Sequence, residues 1–228
     1  LKEGSAYEAL GQKAEALADT VTTMKAELSY QQKRMNQYYD RLLEAISSLV
    51  EFRNLEAAEH VKRIKGFTEI IAKTYMRLFP DKGLTPDKIN VIVRASALHD
   101  IGKIHIPEGI LNKTGKFTPQ EFQLMQTHPV EGRKLLQFLP KIEDGMFNKI
   151  AIDMAYCHHE KWDGTGYPEK LSGSQIPLCA RIMAAADVLD ALISQRLYKQ
   201  PMSIDEAMEI FKTSAGSHFE PCIAETVI

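Results

Sequence analysis

The sequence predicts an all-α protein, a long entry helix that feeds a compact helical bundle. Three observations carry this. Apolar residues recur at helical spacing through most of the chain, helix-start signals punctuate its later part, and long alternating β-branched runs are absent.

The entry helix comes first. Ala14, Val21, Leu28, Met35, Leu42 and Leu49 recur every seven residues, and Leu10, Leu17, Met24, Tyr38 and Ala45 fill a second seam that only Gln31 interrupts. No proline precedes Pro80 and no glycine lies between Gly11 and Gly66, so one helix can run through the stretch. A seam sustained over several heptads calls for a partner, most simply a second copy in a parallel homodimer. An amphipathic helix folded back on its own domain is the alternative, but no turn signal sends it back. Residues 1–49 are therefore assigned to a coiled-coil or linker helix and residues 50–228 to a second, functional domain.

From Val50 onward the helices shorten. Thr85-Pro86 and Thr118-Pro119 each place an N-cap residue before a proline suited to the first helical turn. Thr118 with Glu121, and Ser203 with Glu206, have capping-box spacing. One loop is dense in turn formers, Asp163-Gly164-Thr165-Gly166-Tyr167-Pro168, and it joins two helical patterns. Its glycines are expected to supply positive φ.

Bulk properties narrow the function classes. With 44% hydrophobic and 25% charged residues among 228, the chain can bury a real core. A formal charge of -2 argues against general nucleic-acid binding, which needs a concentrated positive field. There is no apolar run of about eighteen residues to span a membrane, and the first residues lack the basic start and apolar stretch expected of a secretory leader. The three cysteines, Cys157, Cys179 and Cys222, lack a C-x-x-C spacing and read as reduced thiols of a cytoplasmic protein. Because the chain opens on Leu1, it is expected to be cut from a longer protein, with a sensor or receiver upstream.

Seven histidines are present, and several stand beside carboxylates. His99 precedes Asp100 in Leu98-His99-Asp100-Ile101-Gly102-Lys103. His158 and His159 are adjacent and precede Glu160. His60 follows Glu56 by one helical turn, a spacing that suits a surface contact equally well. Any one of these residues reads as a structural histidine. Together, in apolar surroundings, they suggest a metal centre, because imidazole and carboxylate bind first-row ions when thiolates are missing.

At this point the strings resemble a family. His99-Asp100-Ile101-Gly102-Lys103, then the eleven residues from His158 to Pro168, then Ala186-Asp187-Val188-Leu189-Asp190-Ala191-Leu192 look like the HD-GYP subgroup of the HD phosphohydrolases. The resemblance runs from near Arg53 to Phe219-Glu220-Pro221. It implies a bacterial signal-transduction enzyme with an HD-domain helical bundle holding two or three divalent ions, iron or manganese. The implied reaction is hydrolysis of cyclic di-GMP to pGpG and/or GMP by metal-activated hydroxide. Carried over by position, the implied ligands are Glu56, His60, His99, Asp100, His128, His158, His159 and Asp187. Asp100 would bridge ions and Glu56 would permit a third. Lys103 would stabilise charge on the scissile phosphate, while Arg196, Lys199 and Tyr167 would contact the substrate. The Gly-Tyr-Pro loop would border the pocket or dock a diguanylate cyclase domain.

The sequence departs from the pattern at Ala57-Ala58, which alters local backbone freedom more than chemistry, at Leu197 and Met202 near the implied phosphate-binding segment, and at Glu220, where one acid replaces another. Three other readings stay open: a phosphodiesterase for another cyclic dinucleotide, a non-catalytic cyclic di-GMP-binding module, and an iron-dependent oxygenase. Intact ligand positions argue against the second, and the phosphate-suited cations argue against the third.

Overall fold

A computed structural model describes residues 2–53, 59–138, 145–195 and 200–228, with side chains from Tyr7 onward except Ala9. Among the described residues there are ten α-helices and no strand, in keeping with the all-α expectation. Two compact units divide the chain, Leu1–Leu42 and Leu43–Ile228.

The first helix, α1 (Lys2–Arg53), is unbroken, as the absence of proline and of any glycine after Gly11 permits. In the first unit the seam residues Leu10, Leu17, Met24, Leu28, Met35 and Leu42 are all exposed. Within the second unit the last turns of α1 bury another stripe, Leu43, Ser47, Val50 and Glu51, while Leu49 stays exposed. The heptad face is thus left uncovered, and α1 docks by a different face.

The remainder is a bundle of α2 (His60–Leu78), α3 (Pro86–Ala95), α4 (Glu108–Leu111), α5 (Pro119–Met125), α6 (His128–Gln137), α7 (Met146–Cys157), α8 (Leu178–Ile193), α9 (Ile204–Thr213) and α10 (Pro221–Val227). Three helix starts follow the sequence signals. Thr85 caps α3, and Thr118–Glu121 and Ser203–Glu206 form reciprocal capping boxes on α5 and α9. Each cap satisfies donors that would otherwise be orphaned and stabilises its helix by roughly 1 kcal/mol.

Helix α8 is the hub. Its run Ala184-Ala185-Ala186 is buried with Ile182 and Met183, and small side chains let α2 and α7 approach closely. Tyr75 of α2 donates to Glu220, which also pairs with Arg181 of α8, so a buried polar network ties α2 and α8 to the start of α10. Cys157 and Cys179 are buried free thiols, and burial pushes both up to about 12. No helix among the described residues is long and apolar enough to cross a membrane.

Candidate metal centre

The chemistry-bearing residues stand at helix ends that converge. His60 opens α2 and His128 opens α6, while His158 and His159 directly follow α7. His99 and Asp100 lie between two short 3-10 turns, Ser96–Leu98 and Ile101–His105, and Asp187 sits within α8. His60, His99, Asp100, His128 and His158 are all buried.

Each of four rings is fixed from behind. His99 Nδ1 is 2.9 Å from the Ser96 carbonyl, His128 Nδ1 2.8 Å from that of Met125, and His158 Nδ1 3.0 Å from that of Ala155. A carbonyl only accepts, so each Nδ1 carries a proton and each Nε2 is turned inward. His60 Nδ1 is held by a carboxylate instead, 2.8 Å from Asp190 Oδ2. Asp190 is itself gripped by Arg63 at 2.5 and 3.2 Å and by Ser194 at 2.8 Å. Burial alone would raise its pKa. Hydrogen bonds from His60, Arg63 and Ser194 overcome burial and hold the carboxylate well below its usual range.

Asp100 lies between the rings. One oxygen is 3.2 Å from His128 Nε2 and 3.6 Å from His158 Nε2, while the other is 3.1 Å from His99 Nε2 and 2.6 Å from Lys103 Nζ. Despite its burial, the Lys103 and His99 charges keep Asp100 ionised, well below the ordinary range. His99 responds in the opposite sense. Burial, the largest single influence, pulls it down, but the charge and hydrogen bond of Asp100 together with the Asp187 charge outweigh burial and raise it to about 9. Burial lowers both His158 and His159, which favours neutral imidazoles.

Ligand atoms of Asp100, His128, His158 and His159 fall within 4.8 Å of one another, as do those of His60, His99 and Asp187. The residues fit divalent ions on an independent count as well. His60 Nε2 is buried without a hydrogen-bond partner, and His128 Nε2 faces His158 Nε2 at 3.4 Å. Buried lone pairs that face one another in this way are costly unless a cation takes them. Asp100 turns one oxygen toward each group.

Family-level comparison agrees with this geometry. The model of the HD domain family matches residues 51–223. The chain belongs to the HD domain family. A cyclic di-GMP phosphodiesterase of Vibrio cholerae is 41% identical to this HD domain protein over 83% of the chain and 39% of the relative. A 3'3'-cGAMP-specific phosphodiesterase 2 of the same organism is 38% identical over 80% of the chain and 33% of the relative. Among solved structures, a cyclic GMP-AMP specific phosphodiesterase of V. cholerae superposes with a TM-score of 0.56 at 21% identity, covering 82% of this chain and 47% of that one. The chain therefore spans less than half the length of each of these proteins.

Around the HD pair, close approach explains two glycines. A Cβ on Gly102 would lie 1.9 Å from the His128 carbonyl oxygen, so only glycine lets the Asp100–Lys103 segment pack against the start of α6. In the Gly-Tyr-Pro loop, Gly164 has the expected positive φ of 82°. Gly166 does not owe its place to φ, since a Cβ there would lie 2.4 Å from the Lys161 amide nitrogen. Tyr167 stacks on His159 with ring centroids 4.8 Å apart, at the edge of the centre.

Glu56, Arg196 and Lys199 lie outside the described residues. Sequence reasoning missed three acids. Asp190 sits one turn beyond Asp187 on α8, a spacing that was legible as a shared helix face. Glu160 is buried and accepts the Glu169 and Leu171 amides at 2.7 and 3.0 Å, which makes it the organiser of the loop. Glu51, near the end of α1, is buried beside His60, and no local spacing signals it.

Proposed function

We propose that this chain is the catalytic part of a metal-dependent phosphodiesterase that hydrolyses cyclic di-GMP to pGpG and/or GMP. The observation that carries the reading is the convergence of inward-facing imidazole nitrogens on the single carboxylate of Asp100. The proposed ligands are His60, His99, Asp100, His128, His158, His159 and Asp187, with Glu56 as a further ligand carried over from the family pattern. Donors of imidazole and carboxylate type suit iron or manganese. Bound divalent ions supply an activated water at neutral pH and neutralise a phosphodiester's charge.

The chain's own residues do the rest. Carbonyls and Asp190 lock the rings before any ion arrives, so the site needs little reorganisation. Lys103, held at Asp100, presents a cation where charge develops on phosphoryl oxygens. Tyr167 offers an aromatic face at the rim, and Arg196 and Lys199 are the proposed phosphate contacts. The exposed seam of α1 supports a parallel homodimer, and the Gly-Tyr-Pro loop is the proposed surface for a diguanylate cyclase domain.

A second reading, hydrolysis of a mixed cyclic GMP-AMP dinucleotide, is favoured by the relatives that bear that specificity in their names. One experiment separates the two. Protein loaded anaerobically with Fe(II), and separately with Mn(II), is given each dinucleotide and products are resolved by chromatography, with a His99→Ala/Asp100→Ala double variant as control. Faster cleavage of cyclic di-GMP that vanishes in the variant is expected. Preference for the mixed dinucleotide would move the assignment to the second reading, and no cleavage of either by metal-replete protein would end both.

A further inference from the structure

We propose that Glu51, in the last turn of α1, is a further ligand carboxylate of the centre, acting at the ion position on the His60 side. This rests on reading the site as a metal centre. Glu51 is 4% exposed, and one of its oxygens lies within 4.8 Å of ligand atoms of both His60 and Asp100. Here His60 presents Nε2, which is buried without a hydrogen-bond partner, because Nδ1 is already committed to Asp190. Two buried carboxylates and an imidazole nitrogen within this distance of one another offer a divalent cation three donors of suitable type.

The turn that carries Glu51 is held rigidly. Arg53 donates to the Ile104 and Ile106 carbonyls at 2.6 and 3.3 Å, and Asn112 donates to the Arg53 carbonyl at 2.8 Å. These bonds fasten the end of α1 to the segment that follows Asp100 and Lys103, so Glu51 is set in place relative to the HD pair by more than its own packing. A ligand from α1 also gives the centre a donor on the same continuous helix that bears the heptad seam.

The test is metal binding without turnover. Metal-free wild type, Glu51→Gln and Glu44→Gln are titrated with Mn(II). Free ion is followed by electron paramagnetic resonance, and bound ion is counted by elemental analysis after desalting. Circular dichroism melts of the metal-free proteins check folding, and Glu51→Asp replaces Glu51→Gln if the latter does not fold. Glu44 pairs with Lys65 away from the centre and serves as the control. Glu51→Gln, or Glu51→Asp in its place, is expected to lose one manganese or to bind its weakest one about tenfold or more less tightly, while Glu44→Gln matches wild type. Equal stoichiometry and affinity in wild type and the Glu51 variant would overturn the role of Glu51 and leave the metal centre standing. Failure of wild type to take up manganese would overturn the metal centre itself.

Discussion

Asp190 stands directly behind His60, its Oδ2 2.8 Å from Nδ1, so that a residue on α8 sets the direction in which the first residue of α2 points its Nε2. The carboxylate is buried and stands in none of the candidate ligand groups found among the described residues, and its effect passes through the imidazole. It fixes the tautomer, aims the ring and makes Nε2 a better donor.

Replacing Asp190 with alanine should therefore lower affinity for a divalent ion by about 10–100-fold, although no ligand is removed. It should also destabilise the fold by roughly 3 kcal/mol, because His60, Arg63 and Ser194 lose their common acceptor. Competition against a chelating dye measures the first effect and urea unfolding the second. Unchanged metal affinity in a folded variant would refute the positioning role.

The same carboxylate has a pH signature. Its folded pKa is depressed, so its stabilising contribution is complete above the unfolded value of about 4 and is lost as acid protonates it below that. The stability gap between wild type and Asp190→Asn should hold steady from pH 7 to pH 5 and narrow below about pH 4. Urea midpoints across that range test this, and a gap that widens in acid would contradict it.

Gly102 and Gly166 should not tolerate alanine. At Gly102 the clash is with the His128 carbonyl oxygen, and at Gly166 with the backbone of His159, Glu160 and Lys161, none of which is the far end of a flexible side chain. Gly102→Ala should push the Asp100 segment off α6, costing about 2 kcal/mol or more and abolishing tight metal binding. Gly83→Ala is a fair comparison for folding, since a Cβ there meets nothing within 4 Å and only its left-handed φ of 72° resists the change. A Gly102→Ala protein as stable as Gly83→Ala, with full metal affinity, would show that the close approach is unimportant.

What the sequence disclosed, and what it withheld, follows from how local each signal is. Capping at Thr118 and Ser203 uses residues three apart, and the heptad seam repeats along one helix, so both are written in the neighbourhood that forms them. The proposed ligand set comes only from the family resemblance, because the four groups of histidines lie far apart in the chain and nothing local says that their helix ends meet. Asp190 and Glu51 escaped for the same reason. Asp190 is 130 residues from His60, and only the packing of α8 on α2 makes the two neighbours. Gly166 was read as a turn residue because a need for positive φ is a local property, whereas the backbone that crowds it becomes visible only when the loop closes over His159.

Metal uptake should release a proton, and its source is His99. In the metal-free protein the charge and hydrogen bond of Asp100, with the Asp187 charge, together outweigh burial and raise this ring to about 9, so near neutral pH the imidazole is protonated on both nitrogens. Nδ1 keeps its proton for the Ser96 carbonyl, which leaves the Nε2 proton, 3.1 Å from Asp100, as the one an entering cation must displace. Its raised pKa means that His99 contributes stability below about 6.5, where the unfolded ring is charged as well, and that this contribution fades as pH climbs through about 9. Apparent metal affinity should accordingly rise with pH up to about 9 and then level off as far as His99 is concerned. Calorimetric titration with Mn(II) at pH 7.5, in buffers that differ in ionisation enthalpy, should report release of about one proton from this ring. The heat should become nearly buffer-independent above pH 9.5. Buffer-independent heat already at pH 7.5 would mean that His99 is neutral before the ion arrives, and that Asp100 spends its charge on Lys103 alone.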